Sequence, residues 1–237
     1  MIKLERTSVM NFENAVRGMR NPLNSWELSD SMLCKGRDGF EDCTINPAGV
    51  CPRHEDFSHD IFCIGKDDFK LAMKLCKAGS DHRKFMRQIF VSVDITAPLY
   101  WWKQFDTYKV GTVSNSTSTM HKIHAKEFTL DDFSHEHLWG DEYDIDYPIG
   151  VLNVVIDMLN DRREAFLEDK DKTYWYQMIQ LLPSSYNQMR TCTLTYENLV
   201  NMYHARKNHK LDEWHDFCKW IETLPYSELI TGGKDER

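Results

Sequence analysis

Hydrophobic and polar residues alternate strictly over one short stretch in the middle of the chain. Branched hydrophobic residues occupy every second position there, at Ile89, Val91, Val93 and Ile95. A period of two places these side chains on one face of an extended backbone, so the stretch is predicted to be a β-strand with one buried face. The strand is expected to end at Ala97-Pro98, where the proline is suited to start a short aromatic helix over Leu99–Phe105.

Helical spacing of hydrophobic residues dominates elsewhere. A first helix is expected to be capped by Asp67 and to end just before Gly79, a left-handed stop. The C-terminal half predicts three more helices: one that carries Val151, Val155, Met158, Leu159 and Phe166, one over 174–182, and one from Tyr196 to about Ile221. A strand followed by a helical C-terminal half indicates an α+β fold, in a single domain over residues 1–237.

Residues 34–63 are predicted to form a loop insertion, because glycines and prolines interrupt every periodic pattern there. The segment also contains Cys51, His54, His59 and Cys63 at spacings of 3, 5 and 4, with Cys34 and Cys43 upstream. A zinc ion is one interpretation of this cluster. Structural zinc sites usually carry paired Cys-x-x-Cys elements, which the sequence lacks, so we expect a loop with incidental thiols and no metal.

Composition narrows the classes of function. The chain has 29 Lys and Arg against 37 Asp and Glu, a net charge of −8, which opposes binding along a nucleic-acid backbone. Its apolar runs are shorter than the ~20 residues of a membrane-spanning helix, so no membrane partner is expected. Seven cysteines, an odd number, fit reduced thiols better than a disulfide framework, and we expect a cytoplasmic protein.

Two polar segments are candidates for ligand contacts. Residues 111–119 are almost entirely glycine, serine, threonine and asparagine, which suits either a loop that grips a ligand or a plain solvated linker. Residues 206–210 read Arg-Lys-Asn-His-Lys, a dense basic patch in an acidic chain. Such a patch indicates either a docking place for something negative or an exposed helix flank.

The segment from Ala97 to Thr119 resembles the strand, helix and loop of flavin-dependent thymidylate synthases (ThyX), in which an Ala-Pro pair precedes a helix with Gln and the motif RHRxxSxNExSxR. The offsets match without gaps. Gln104 falls on the family's Gln, Thr107-Tyr108-Lys109 on its Arg-His-Arg, and Thr112 on its first Ser. Ser114-Asn115 falls on the Asn-Glu, Thr117 on the second Ser and Thr119 on the last Arg.

A second segment, Thr195 to Trp214, resembles the C-terminal ThyX helix, where an Asn is followed eleven residues later by an Arg that holds the nucleotide, and then by a Gln-Trp pair. Arg206 falls on that Arg, and Thr195 replaces the Asn. Glu213-Trp214 stands one residue later than the Gln-Trp pair. The wider strings around both segments are also similar to sequences from intestinal Firmicutes and their phages, which implies a divergent branch of the family.

The resemblance implies a ThyX-like α+β fold with an antiparallel or mixed sheet, a homotetramer, and FAD as cofactor. It further implies dUMP as the nucleotide, with NADPH and methylenetetrahydrofolate as co-substrates. The nucleotide-binding residues it implies are Gln104, Thr112, Ser114, Asn115, Thr119 and Arg206. The cofactor-binding residues it implies are Thr107, Tyr108, Lys109, Asn115 and Thr195, and it assigns no catalytic residue.

The chain departs from the family where charge matters most. Thr107 and Thr119 replace two arginines, whose planar forks hold phosphate by paired hydrogen bonds. Arg190, Lys207, Lys210 or Arg83 are candidates to compensate. Two interpretations follow: a flavin-dependent transfer of a one-carbon group to a pyrimidine nucleotide, or a nucleotide-binding homologue without flavin chemistry. A third is a structural or regulatory protein with a vestigial pocket.

Overall fold

The computed structural model describes residues 2–34 and 61–232. Six strands are present in that part of the chain: β1 Lys3–Met10, β2 Met32–Cys34, β3 Ile61–Cys63, β4 Phe90–Pro98, β5 Val113–Ser116 and β6 Asn187–Thr195. The helices are α1 Phe12–Arg20, α2 Lys66–Lys77, α3 Leu99–Phe105, α4 Pro148–Asp169, α5 Lys172–Leu181, α6 Tyr196–Arg206, α7 Asp212–Glu222 and α8 Glu228–Thr231. This composition confirms the predicted α+β class.

Four strands form one sheet in the order β1-β4-β6-β5. Its central pair is antiparallel, because the backbone N–H of Tyr196 donates to Ile89 and that of Leu99 donates to Tyr186. The alternating residues predicted to be buried on β4 are at most 1% exposed, which confirms that prediction. The polar segment 111–119, by contrast, was expected to be a loop throughout. The structure corrects this, because Val113–Ser116 form strand β5 at the edge of the sheet.

The chain divides into two compact units. Unit 1 comprises Met1–Glu5, Asp94–Lys109 and Ser114–Cys192, and unit 2 comprises Arg6–Val93, Val110–Val113 and Thr193–Arg237. None of the described helices is long and apolar enough to cross a bilayer.

The core of unit 1 forms around α4 and α5. Its fully buried members are Ile123, Phe128, Phe133, Leu152, Ile156, Leu159 and Met178. The face predicted for α4 was partly wrong, since Val151 is 50% exposed and Met158 is 43% exposed. The helix buries the predicted Leu159, together with Leu152 and Ile156 of the neighbouring stripe. Hydrophobic residues occupy both sides of this helix, so their spacing alone did not define the buried side.

The free backbone N–H groups at the N-terminus of α2, in unit 2, are hydrogen-bonded by a residue that is distant in the sequence. We expected Asp67 to cap this helix, but Gly65 is the N-cap and Asp67 lies in the first turn. The Asp30 carboxylate accepts hydrogen bonds from the backbone N–H groups of Asp67 and Asp68, at 2.8 and 3.0 Å. The predicted end of the helix is confirmed, because α2 ends at Lys77 and Gly79 follows in a left-handed conformation, with a φ of +102°.

Two helices replace the single helix predicted from Tyr196 to about Ile221. Helix α6 ends at Arg206 and α7 begins at Asp212, with a turn between them that contains the basic patch. The patch is too polar to continue a buried face, and the side chain of His209 accepts a hydrogen bond from the Leu211 N–H at 3.1 Å, which stabilises the turn.

The two ends of the predicted insertion meet. Strand β2 pairs antiparallel with β3, with Met32 opposite Cys63 and Cys34 opposite Ile61. Residues 35–60 lie outside the described residues, and with them Cys43, Cys51, His54 and His59 of the candidate zinc cluster. Within residues 2–34 and 61–232 no group of three or more His, Cys, Asp or Glu side chains is arranged to hold a metal ion.

Candidate functional site

Most of the residues that the family motif implies lie in unit 1, on α3 and on the strand after it. Gln104 on α3 is half-buried, and in the turn after the helix Tyr108 is half-buried while Thr107 and Lys109 are exposed. The Thr107 hydroxyl donates to the Gln104 carbonyl at 2.7 Å, and this hydrogen bond closes the end of the helix. On and after β5, Ser114 and Asn115 are exposed and Thr119 is half-buried. Lys109 is the one cation among these residues.

Arg190 of unit 1 was a candidate to replace the missing arginines, and its contacts are structural. Its guanidinium donates to Asp106 at 2.7 Å and to the Gln188 side chain at 3.0 Å. Its guanidinium carbon also lies 4.1 Å from the centre of the Trp102 ring. Because Asp106 balances its charge and Trp102 covers its face, Arg190 acts as a brace between α3 and β6.

Unit 2 contains an open groove of about 630 Å³, within the size range of small-molecule and cofactor sites. Its lining residues come from the turn before β4, from residues 110–113, from the end of β6 and from the first turns of α6. They are Arg87, Phe90, Val110, Gly111, Val113, Thr193, Thr195, Glu197, Asn198 and Asn201. Thr195, which the resemblance assigns to the cofactor, is therefore part of the groove wall.

Two of the lining residues, Thr195 and Asn198, form a capping box at the start of α6. Thr195 is the N-cap of α6, and its hydroxyl accepts from the Asn198 N–H at 3.2 Å. The Asn198 side-chain oxygen accepts in return from the Thr195 backbone N–H, at 3.0 Å, and from its hydroxyl, at 2.7 Å. The two residues thus satisfy donors that the start of a helix otherwise leaves unpaired.

The same asparagine holds the turn that precedes β5. Its side-chain N–H donates to the Val110 carbonyl at 2.6 Å. Gly111 follows with a φ of +74°, and a Cβ added there would stand 3.1 Å from the Asn198 side-chain oxygen. Glycine therefore suits this position both for its backbone conformation and for the close approach of Asn198.

Thr112, the next residue, has a buried hydroxyl without a hydrogen-bond partner among the described residues. A buried hydroxyl left unpaired costs free energy, about 1 to 3 kcal/mol. The resemblance assigns Thr112 to nucleotide binding, and its neighbours Gly111 and Val113 both line the groove.

The charge of the groove depends on which of its charged lining residues are ion-paired. Glu197 lines it, but Arg83 neutralises this carboxylate through two hydrogen bonds of 2.8 and 3.3 Å. Arg83 is consequently engaged as well and does not stand in for a motif arginine. Arg87 lies four residues after Arg83, in the turn before β4. It lines the groove, is exposed, and has no carboxylate partner among the described residues.

The apolar wall of the groove is unusually exposed. Phe90 is 38% exposed, Val110 is 87% exposed and Val113 is 65% exposed. Sequence reasoning missed Phe90 and Arg87 as site residues. Phe90 carries a signal in the sequence, because a large aromatic side chain stands on the predicted solvent face of β4. The sequence contains no comparable signal for Arg87.

Arg206, the cation predicted to hold phosphate, is at the far end of α6. Its guanidinium carbon lies 4.8 Å from the centre of the Trp214 ring, in a cation–π contact. It is not among the residues that line the groove. In the adjoining turn, burial lowers the pKa of His209, and the charges of Arg206, His215 and Lys210 lower it further. The positive charge of the patch at neutral pH therefore comes from Arg206, Lys207 and Lys210.

The sequence matches no protein-family model and none of the curated proteins. The fold does match solved structures. Thymidylate synthase X (ThyX) from Helicobacter pylori with FAD and dUMP has a TM-score of 0.62 at 14% identity, over 97% of this chain and 96% of that chain. Another structure of that flavin-dependent enzyme, complexed with FAD and dUMP, has a TM-score of 0.60 at 14% identity, over 96% and 95%. The chain has a ThyX-like fold, as the resemblance implied.

Proposed function

We propose that this chain is a ThyX-like, flavin-dependent enzyme that transfers a one-carbon group to a pyrimidine nucleotide, dUMP. One observation carries the proposal: within a ThyX-like fold, the motif residue Thr195 lies in the wall of a groove large enough for a nucleotide. NADPH and methylenetetrahydrofolate are the proposed co-substrates, and a homotetramer is the proposed assembly.

The groove residues fit a phosphate-bearing cofactor such as FAD. The orphaned Thr112 hydroxyl, which lies between the lining residues Gly111 and Val113, is suited to bond a ligand. Arg87 and the Asn201 amide add donors at the groove wall, and Phe90 offers a ring face for stacking. When bound, FAD would supply the redox chemistry, while the chain's own residues bind and orient the reactants.

The residues that remain from the family motif are proposed to contact the nucleotide or the cofactor. Gln104 can read a uracil edge, since its amide offers both a donor and acceptors. Ser114, Asn115 and Thr119 are proposed to contact the nucleotide with neutral polar groups, and Tyr108 and Lys109 to contact the cofactor.

An absorbance spectrum of the protein as purified is the first test, with a titration of added FAD. We expect the visible band of oxidised flavin and a saturable change on addition of FAD. Protein that is colourless and does not bind FAD would contradict the flavin-dependent function. A homotetramer predicts a mass near four times 28.0 kDa by light scattering coupled to size exclusion.

A second candidate function is a nucleotide-binding homologue without flavin chemistry. It is favoured by the loss of two motif arginines together with the engagement of Arg190 and Arg83 in structural contacts. Each missing charged hydrogen bond weakens phosphate binding by about 1.5 to 3 kcal/mol. Calorimetry separates the candidates: heat with dUMP but none with FAD supports the second, and heat with neither ligand excludes both.

A further inference from the structure

The groove in unit 2 has a positive charge although the chain as a whole is acidic. Its two charged lining residues are Arg87 and Glu197. The Glu197 charge is cancelled by Arg83, and both side chains are largely buried, at 10% and 19% exposed. Arg87 therefore contributes the net charge of the groove lining, in a protein whose overall charge is −8. A cation in such surroundings favours an anionic ligand.

Uncommitted neutral donors and an aromatic ring accompany this cation. Neither the Thr193 hydroxyl nor the Asn201 amide has a hydrogen-bond partner among the described residues, whereas Thr195 and Asn198 are bonded to each other. Phe90 exposes part of its ring on the same lining. A guanidinium, amide and hydroxyl donors and a flat ring match the parts of a nucleotide, which are a phosphate, a sugar and a heteroaromatic base.

We propose that Arg87 binds the phosphate of the nucleotide that occupies this groove, and thereby takes the place of the arginines that the motif has lost. The inference rests on the proposed function, and the shared chemistry is a phosphate group on a stacking ring. Two ligands of that function carry it: dUMP as a monophosphate and FAD as a diphosphate diester.

Titration calorimetry with matched pairs of ligands tests this role. Arg87→Gln and the wild-type protein are each titrated with dUMP and deoxyuridine, and with FAD and riboflavin. We expect Arg87→Gln to raise the Kd of one phosphorylated ligand by about tenfold or more, the loss of one charged hydrogen bond, and to leave its phosphate-free counterpart unchanged. The ligand that responds identifies the source of the phosphate.

Lys84→Gln is the control variant, because Lys84 is exposed in the same turn, carries the same charge and does not line the groove. It should leave each Kd within about twofold. Arg87→Lys should recover part of the lost affinity, since it keeps the charge and loses the planar fork. Thermal unfolding of each variant establishes that it is folded.

The outcomes separate this inference from the function on which it rests. Wild-type protein that binds neither dUMP nor FAD would remove the proposed function and the inference with it. Wild-type protein that binds, with Arg87→Gln binding equally well, would overturn the inference and leave the function standing. An equal loss for phosphorylated and phosphate-free ligands, or an equal effect of Lys84→Gln, would also overturn it.

Discussion

Asn198 donates its side-chain amide to the carbonyl oxygen of Val110 across 2.6 Å, and so links two segments that are 88 residues apart in the sequence. The same side chain accepts two hydrogen bonds from Thr195. One amide thereby fixes both the start of α6 and the turn before β5, and these two elements supply much of the groove lining. Asn198 therefore holds together two elements that line the groove.

Asn198→Ala should destabilise the protein by about 1 to 3 kcal/mol, because several hydrogen bonds of about 0.5 to 1.5 kcal/mol each are lost at a partly buried position. Urea unfolding followed by circular dichroism measures the change. Asn201→Ala is the matched control, since Asn201 is exposed on the same helix and has no hydrogen-bond partner among the described residues. Equal destabilisation by the two variants would show that the Val110 link contributes nothing.

Gly111→Ala should also destabilise the protein, by about 1 kcal/mol or more. The new Cβ would meet the Asn198 side-chain oxygen at 3.1 Å, and the φ of +74° is unfavourable for alanine. Gly79→Ala separates the two effects, because Gly79 has a φ of +102° but no atom within 4 Å of an added Cβ. If unfolding measurements give Gly79→Ala the same cost as Gly111→Ala, the close approach of Asn198 has no energetic consequence.

The sequence predicts β4 because every residue on its buried face is hydrophobic. It does not predict β6, because the buried face of that strand includes a polar residue. On β6, Cys192 and Leu194 are buried, but so is Gln188, at 6% exposed. Gln188 is satisfied there by donating to the Thr117 carbonyl at 2.7 Å. Period-two patterns fail where a buried position is polar and its hydrogen-bond partner lies far away in the sequence.

The candidate site was predictable only in part. The motif offsets pointed to Thr195 and Thr112 from sequence alone, and both lie at or beside the groove. The roles of Arg87 and Asn198 depend on contacts that a sequence does not reveal. Glu197 forms its ion pair with Arg83 and not with Arg87, and the Asn198 side chain donates to the Val110 carbonyl. Which cation is paired and which is not depends on tertiary contacts.

The buried ion pair between Arg20 and Asp68 predicts a dependence of stability on pH. The Asp68 carboxylate accepts hydrogen bonds from the Arg20 guanidinium at 2.5 Å and from the Ser29 and Ser31 hydroxyls at 2.6 and 2.5 Å. Burial raises the pKa of Asp68, but these hydrogen bonds and the charge of Arg20 outweigh it, so the pKa lies below 3.8. The stabilisation is therefore complete above that value and is lost as pH falls through the lower, folded-state pKa.

Asp68→Asn should cost about 3 to 5 kcal/mol at neutral pH, because it leaves the Arg20 charge buried and unpaired. The difference between wild-type and variant unfolding free energies should be constant above about pH 5 and shrink below it. Asp216→Asn is the control, since its pair with Lys219 is largely exposed and worth less than about 1 kcal/mol. A difference that does not change between pH 5 and pH 2 would contradict the assigned pKa direction.

Three described cysteines should resist alkylation. Burial raises the pKa of Cys76 and of Cys192 to about 12, and that of Cys218 to about 11. Because the thiolate is the reactive form, only about one thiol in a thousand or fewer is reactive at pH 8. Mass spectrometry after iodoacetamide treatment of native protein should find these three unmodified, and the same treatment in urea should modify them. Rapid native labelling of any of the three would contradict the assignment.

Arg206 remains the predicted phosphate contact of α6. Its guanidinium lies over the Trp214 ring, and its planar fork is suited to paired hydrogen bonds with a phosphate. Arg206→Ala should weaken dUMP binding by more than ~1.5 kcal/mol in calorimetry, and the exposed neighbour Lys207→Ala should weaken it less. Arg206→Lys should fall between wild type and Arg206→Ala, since it keeps the charge but not the planar fork. Equal effects of Arg206→Ala and Lys207→Ala would mean that the basic patch attracts nucleotides only through its total charge.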